Sequence, residues 1–252
     1  MKPKSMNLSN KHKMNFSVLQ TKTSLEFKDN LKNLVQSIQD VPKNSLILAP
    51  ELCLTGYAYD NIKQAAVFGE LAVETLKKQS ANQTIGITIS TEENNLIYNR
   101  FYLFCKQQII HTQNKVKLFT LNNEEKFFKA GEEKQIQLFE ANDLKIGVLI
   151  CFELRFIHLW EKLKGADIIL VPAMWGEARK AHYELLCQAL AVANQCFVLA
   201  SDSANEECAK GSAIISPFGE VLKDDSQTIL SQSVDLNEIK RMRTYLPVGI
   251  KP

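Results

Sequence analysis

Short apolar runs that stop abruptly at a polar residue or a proline, each followed by a stretch with helical spacing, constrain this chain more than any other feature. Residues 46–49 stop at Pro50-Glu51, residues 144–150 run straight into Cys151, and residues 167–171 are stopped by Pro172. Runs of this length bounded by breakers read as buried strands. Residues 16–20, 84–90, 100–105, 197–201, 213–216 and 228–234 add further strands, with a turn-rich segment at 92–95. Phe27, Leu31, Leu34, Val35 and Ile38 recur at helical spacing. Residues 62–80, 156–164 and 179–194 read as three more helices. Strands alternating with helices specify an α/β fold.

No linker rich in Pro, Gly or Ser interrupts residues 14–252, so one domain is expected there. Residues 1–13 are polar and lysine-rich, lack the apolar core of a signal peptide, and are expected to form a flexible tail. Acidic and basic residues are interspersed and the net charge is only +2, which gives no electrostatic case for nucleic-acid binding, since that calls for a strongly basic face. No apolar stretch approaches the length that crosses a bilayer. The six cysteines, Cys53, Cys105, Cys151, Cys187, Cys196 and Cys208, form no CxxC pair, and free thiols in a reducing cytoplasm are expected. His12, His111, His158 and His182 have no metal-ligand spacing, and a helix after Cys151 carries His158 away from the thiol. No metal or organic cofactor is expected.

Three segments deliver a reactive group where a strand gives way to a loop: Glu51 after residues 46–49, Lys115 at the head of Lys115-Val-Lys-Leu-Phe119, and Cys151 after residues 144–150. Strand ends hold groups rigidly while the following loop opens a pocket. Together a carboxylate, an amine and a thiol make coherent chemistry. The thiolate is the nucleophile, a nearby carboxylate takes the thiol proton, and a fixed ammonium stabilises an oxyanion. Spacing alone leaves the plainer alternatives open: a cysteine after a strand is a common small core residue, Glu51 serves equally as a helix cap, and Lys115 as a solvated edge. Nor does spacing separate Lys115 from Lys117, because strand alternation points both the same way.

Several motifs then agree in order and spacing over roughly residues 14–235. Cys151-Phe-Glu-Leu-Arg-Phe156 resembles the C-(Y/F)-(D/E)-(L/I)-R-F signature of carbon–nitrogen hydrolases of the nitrilase type. Pro50-Glu51 with Thr55-Gly56-Tyr57 resembles their first motif, and Lys115-Val-Lys-Leu-Phe119 their K-x-H-L-F motif. Val171-Pro-Ala-Met-Trp175 and Gly211-Ser-Ala-Ile-Ile-Ser-Pro-Phe-Gly219 resemble later landmarks.

The resemblance implies a four-layer α-β-β-α sandwich and amide hydrolysis through a cysteine thioester, with ammonia released. It implies Cys151 as nucleophile, Glu51 as general base, and Lys115 with the backbone N–H of Phe152 as oxyanion donors. Lys115 is chosen over Lys117 because Lys117 stands where relatives carry His. A second glutamate, Glu124 rather than Glu125 by motif register, is implied to hold Lys115 or position substrate. Trp175, Tyr57 and Met174 are implied to line the pocket, and Arg155 to pair structurally near the nucleophile turn. The chain looks most like small ω-amidase-type members acting on carboxylate-bearing amides such as α-keto acid monoamides. N-carbamoyl amine or amino acid hydrolysis is the next reading, and a nitrile substrate is disfavoured. A homodimer or larger assembly is implied, although Gln188 and Ala193 replace the Arg and Glu usual in the R-A-x-A-x-E-N helix, and Ile157 replaces a common Pro. Two readings from other classes are a catalytically idle scaffold of the same fold and a redox-active thiol protein.

Overall fold

The first strand starts earlier than its apolar run. In the computed structural model, which describes residues 12–252, β1 (Lys13–Leu19) begins at Lys13 because Lys13 and Met14 pair with Asp235 and Val234 of β12 (Ile229–Asp235). Of the tail expected over residues 1–13, residues 1–11 lie outside the described residues, while His12 O accepts the Leu236 N–H at 2.9 Å. With β2 (Ser45–Leu48), β3 (Thr84–Glu93), β4 (Leu96–Cys105) and β5 (Gln108–Asn114), these strands form a six-stranded sheet ordered β12-β1-β2-β3-β4-β5. A second six-stranded sheet is ordered β11-β10-β9-β8-β7-β6. Its strands are β6 (Phe139–Ala141), β7 (Leu144–Val148), β8 (Ile168–Pro172), β9 (Phe197–Ser201), β10 (Ala213–Ile215) and β11 (Val221–Lys223).

Both sheets have a parallel centre, β1-β2-β3 and β7-β8-β9. Parallel neighbours need a crossover, and helices supply it. α1 (Phe27–Asp40) and α2 (Ile62–Gln79) serve the first sheet, α3 (Ile157–Lys162) and α4 (Lys180–Asn194) the second. Strands β2, β8 and β9 are buried at every residue, so they read in the sequence as unbroken apolar runs rather than as alternation.

One apolar core joins the inner faces of the sheets. Phe16, Leu48 and Phe101 share it with Val148, Leu170 and Leu199, and Phe16 meets Phe197 edge-on at 5.3 Å. A second core lies under α1 and α2, where Leu34, Ile38 and Leu76 cover Ile47, Ile85 and Phe104. Helix α2 approaches the sheet so closely that only glycine fits at position 69, since a Cβ there would stand 2.3 Å from the Ser90 carbonyl oxygen. Helix α4 covers the other sheet through Tyr183, Cys187, Leu190 and Ala191. The order helix, sheet, sheet, helix is the expected four-layer sandwich.

Strands β5, β6 and β11 and the C-terminal helix α5 (Asn237–Tyr245) were not legible. Strand β5 exposes Ile109 and Ile110 and buries Gln113, and all three residues of β11 are exposed. Edge strands with mixed faces carry no clean period. Among the described residues, no helix is long and apolar enough to cross a membrane.

Candidate active site

Four groups stand just beyond the carboxyl ends of parallel strands: Glu51 after β2, Cys151 after β7, Met174 and Trp175 after β8, and Asp202 after β9. Open parallel sheets bind ligands at this edge. Lys115 reaches the same edge by a different route. β4 is antiparallel to β3 and β5 antiparallel to β4, so β5 runs in the direction of β2 and delivers Lys115 alongside Glu51. Residues 115–119 are not a strand, contrary to the sequence expectation. Lys115 begins a loop whose backbone is held by Lys115 N–H donating to Asn99 O (2.8 Å) and Gly131 N–H donating to Lys115 O (2.8 Å). The alternation that made Lys115 and Lys117 equivalent therefore does not apply. Lys115 is 1% exposed, whereas Lys117 is half-buried and pairs with Glu133.

The Lys115 ammonium joins two carboxylates that are themselves fully buried. Its Nζ donates to Glu51 Oε1 at 2.8 Å, to Glu124 Oε1 and Oε2 at 3.0 and 2.8 Å, and to the Tyr57 hydroxyl at 3.1 Å. Asn99 Nδ2 donates to the same Glu51 oxygen at 2.8 Å, and the Met174 N–H donates to Glu51 Oε2 at 3.2 Å. Glu124 also accepts the Phe119 N–H at 2.7 Å. Burial pulls the Lys115 pKa down, but Glu51 and Glu124 outweigh it and hold the ammonium above its ordinary value. Burial raises the Glu124 carboxyl, and Lys115 opposes that rise.

Cys151 opens a tight 3-10 turn, Cys151–Arg155, with a φ of 48°. A side chain other than glycine in that region is strained by roughly 1–2 kcal/mol, so the surrounding structure must hold it there. Glu153 does part of this. Its Oε2 accepts the Ile150 N–H at 2.7 Å and its Oε1 the Val116 N–H at 2.6 Å, which ties the Cys151 turn to the Lys115 loop. Burial, reinforced by the Glu51 carboxylate, lifts the Cys151 thiol well above its ordinary pKa, while Lys115 and the Met174 backbone N–H pull the other way. That shift disfavours a free thiolate at rest.

Cys151 lines a cavity of about 1130 Å³ with Phe152, Tyr57, Met174 and Trp175, and behind that lining the Lys115 ammonium bonds the Tyr57 hydroxyl and Glu51 accepts the Met174 N–H. The sequence-derived pocket residues are thus brought together around the thiol. Arg155 packs against neighbours of this turn, lying 4.8 Å over the Trp175 ring and donating to His182 Nδ1 at 3.3 Å, and it also lines the cavity beside Arg179, with no carboxylate partner among the described residues. Among the described residues, no group of three His, Cys, Asp or Glu side chains is placed to hold a metal ion.

A model of the carbon-nitrogen hydrolase family matches residues 16–244. The chain belongs to that family. It is 32% identical over 234 residues to the 2-oxoglutaramate amidase of Bacillus subtilis (strain 168), which covers 87% of this chain and 90% of that protein. Omega-amidase YafV of Escherichia coli (strain K12) is 26% identical over 199 residues, 77% of each chain. In structure, the chain matches XC1258 from Xanthomonas campestris, a CN-hydrolase superfamily protein with an arsenic adduct in its active site. The TM-score is 0.83 at 21% identity, covering 94% of this chain and 96% of the other. As a carbon–nitrogen hydrolase, this protein acts on C–N bonds other than peptide bonds and is of the amidase kind.

Two residues of this carbon–nitrogen hydrolase site escaped the sequence reading. Asn99 is fully buried in β4, and with Tyr98 and Arg100 beside it in the chain it carries no local signal. Asp202 had a better one, because it ends an apolar run just as Glu51 and Cys151 do. Its Oδ1 accepts the Trp175 N–H at 2.8 Å and its Oδ2 the Gly211 N–H at 3.4 Å, which fixes the wall of the cavity. Burial pushes the Asp202 pKa up to about 7, against the pull of those backbone N–H groups. Its unfolded value lies near 4, so any stability gained from the protonated form is complete below that pH and is lost as pH rises through about 7. Asparagine does not titrate. Urea unfolding should therefore show wild type losing stability relative to Asp202→Asn between about pH 4 and 8, by up to a few kcal/mol. A difference that is flat with pH would refute this.

Proposed function

We propose that this chain hydrolyses the terminal amide of a small carboxylate-bearing substrate, with Cys151 as nucleophile, Glu51 as general base and Lys115 as the oxyanion-stabilising cation. The observation that carries the reading is the Lys115 ammonium held between Glu51 and Glu124 and bonded to Tyr57, which lines the same cavity as Cys151. As sulfur attacks the amide carbon, Glu51 takes the thiol proton. Coupling the two events suits a thiol whose pKa is raised by burial. The oxyanion is met by Lys115 and the Phe152 N–H. Protonated Glu51 then gives its proton to the departing nitrogen, ammonia leaves, and a thioester remains. Glu51 next removes a proton from water, which adds to the thioester carbonyl; collapse expels the sulfur, which regains the proton from Glu51, and the acid departs. Glu124 positions Lys115, while Tyr57, Met174 and Trp175 bound the substrate.

Arg155 and Arg179 support a carboxylate at the far end of the substrate. Each guanidinium lies over an aromatic ring, Trp175 and Phe119 respectively, and neither has an acidic partner among the described residues. The similarity to a 2-oxoglutaramate amidase supports an α-keto acid monoamide of that kind. Ammonia release should be fastest on 2-oxoglutaramate among a panel that includes N-carbamoyl compounds and uncharged amides. Arg155→Gln should raise KM for 2-oxoglutaramate about tenfold or more and leave an uncharged aliphatic amide unaffected, since a hydrogen bond to a charged group contributes roughly 1.5–3 kcal/mol. Equal effects on both amides would remove Arg155 from substrate recognition, and release confined to N-carbamoyl compounds would replace the substrate class.

The six free cysteines support a reducing, cytoplasmic setting. Exposed Leu185 and Val192 on α4 and Ile157 on α3 support pairing with a second copy across that helical layer, which sedimentation equilibrium would detect.

A further inference from the structure

A second concavity lies away from Cys151, where α5, the start of β7 and the turn before β8 meet the C-terminal segment. Its lining carries five cations, Lys145, Lys164, Lys240, Arg243 and Lys251, against one carboxylate, Asp167. That side-chain excess of four positive charges is larger than the +2 of the entire chain. Charge of one sign gathered in a concavity focuses potential there and attracts counter-ions. Acidic partners occupy Lys77, Lys117, Lys180 and Lys223 elsewhere, yet none of the four lysines here has one among the described residues.

Arg243 makes the arrangement specific. It is 6% exposed, and one nitrogen, Nη1, reaches Asp167 Oδ1 at 3.3 Å and Lys251 O at 3.4 Å, while Nη2 donates to Ala166 O. Its Nε–H is buried and has no partner. Asp167 is shared, because its Oδ2 also accepts the Lys145 N–H at 3.0 Å. A guanidinium buried with a free donor and only a single-oxygen contact to a shared carboxylate lacks the forked acceptor it prefers. The cavity measures about 580 Å³, which suits a small ligand, and Leu236, Ile239 and Ile250 give it an apolar side.

We propose that this cavity is a second ligand site, which takes a small phosphate ester: a multivalent anionic head against Arg243 and the lysines, and a compact apolar body against Leu236 and Ile239. A single carboxylate would leave most of these cations unanswered, whereas a phosphate dianion offers several strong acceptors. A concave pocket suits a free ester better than a flat bilayer surface.

Isothermal titration of the full chain with phenyl phosphate tests this. Wild type should bind with a Kd below about 1 mM, and inorganic phosphate at least about threefold more weakly, because it lacks the apolar body. Lys164 and Lys240 are exposed, so the double variant Lys164→Gln/Lys240→Gln should fold normally and weaken phenyl phosphate about tenfold or more. The matched variant Lys32→Gln/Lys78→Gln, altered at exposed lysines of α1 and α2, should bind like wild type. Three results would overturn the proposal: no saturable binding of phenyl phosphate, equal weakening in both double variants, or an affinity untouched by Lys164→Gln/Lys240→Gln. Co-sedimentation with phosphatidylglycerol vesicles without binding of phenyl phosphate would assign the surface to a membrane instead and equally defeat it.

Discussion

Replacing Cys151 with alanine should lower ammonia release by about ten-thousand-fold or more, because no other group offers a route through a covalent intermediate. The fold should survive. Cys151 is a small side chain at the edge of the core, and alanine keeps the same backbone conformation, so the unfolding temperature should move by only a few degrees. Of the six cysteines, only Cys151 and Cys208 line the cavity, and burial pushes the Cys208 thiol up to about 12. Rapid-quench mass spectrometry during turnover should therefore find the acyl adduct on Cys151 alone. An adduct on Cys208, or turnover that persists in Cys151→Ala, would remove the nucleophile from the mechanism.

The second large effect concerns Lys115. Lys115→Met should abolish turnover and also destabilise the protein by about 3–5 kcal/mol, the usual cost of breaking a buried ion pair from one side. The physical cause is that Glu51 and Glu124, both without solvent contact, would then face each other without the cation between them. Its pH dependence has a definite sign. Burial already raises the Glu124 pKa, and Lys115 opposes it more than the Phe119 N–H does, so the variant raises it further. A carboxyl with a raised folded pKa keeps its stability at low pH and loses it as pH rises. The deficit relative to wild type should accordingly shrink in mild acid and grow above neutrality in denaturant titrations. Adding Glu124→Gln to Lys115→Met should recover part of the stability and none of the activity. A Lys115→Met variant as stable as wild type at pH 8 would mean that the two carboxylates are not held together as described.

Much of this was legible along the chain. The apolar runs before Glu51, Cys151 and Pro172 are strands buried on both faces, and such strands announce themselves by composition without any partner in view. The helical spacing from Phe27 to Ile38 is likewise a one-dimensional record of a face turned to the core. Strand β5 was not legible, because its exposed Ile109 and Ile110 and its buried Gln113 mix the two faces. Its absence led to the misreading of residues 115–119 as a strand. That Arg155 also opens into the cavity was not legible either, because nothing local shows whether an arginine has an acidic neighbour.

Sequence by itself determined the alternation of strands and helices, which depends on residue type and spacing within short segments, and, through several motifs in order along the chain, the family and the candidate thiol, amine and carboxylates. Only the tertiary structure decided that Lys115 rather than Lys117 lies between Glu51 and Glu124, that Asn99 and Asp202 brace the site, and that Arg155 and Arg179 stand without acidic partners. Those are facts of proximity between residues far apart in the chain, and they arise when two sheets bring their strand ends to one edge and exclude water from the charges gathered there.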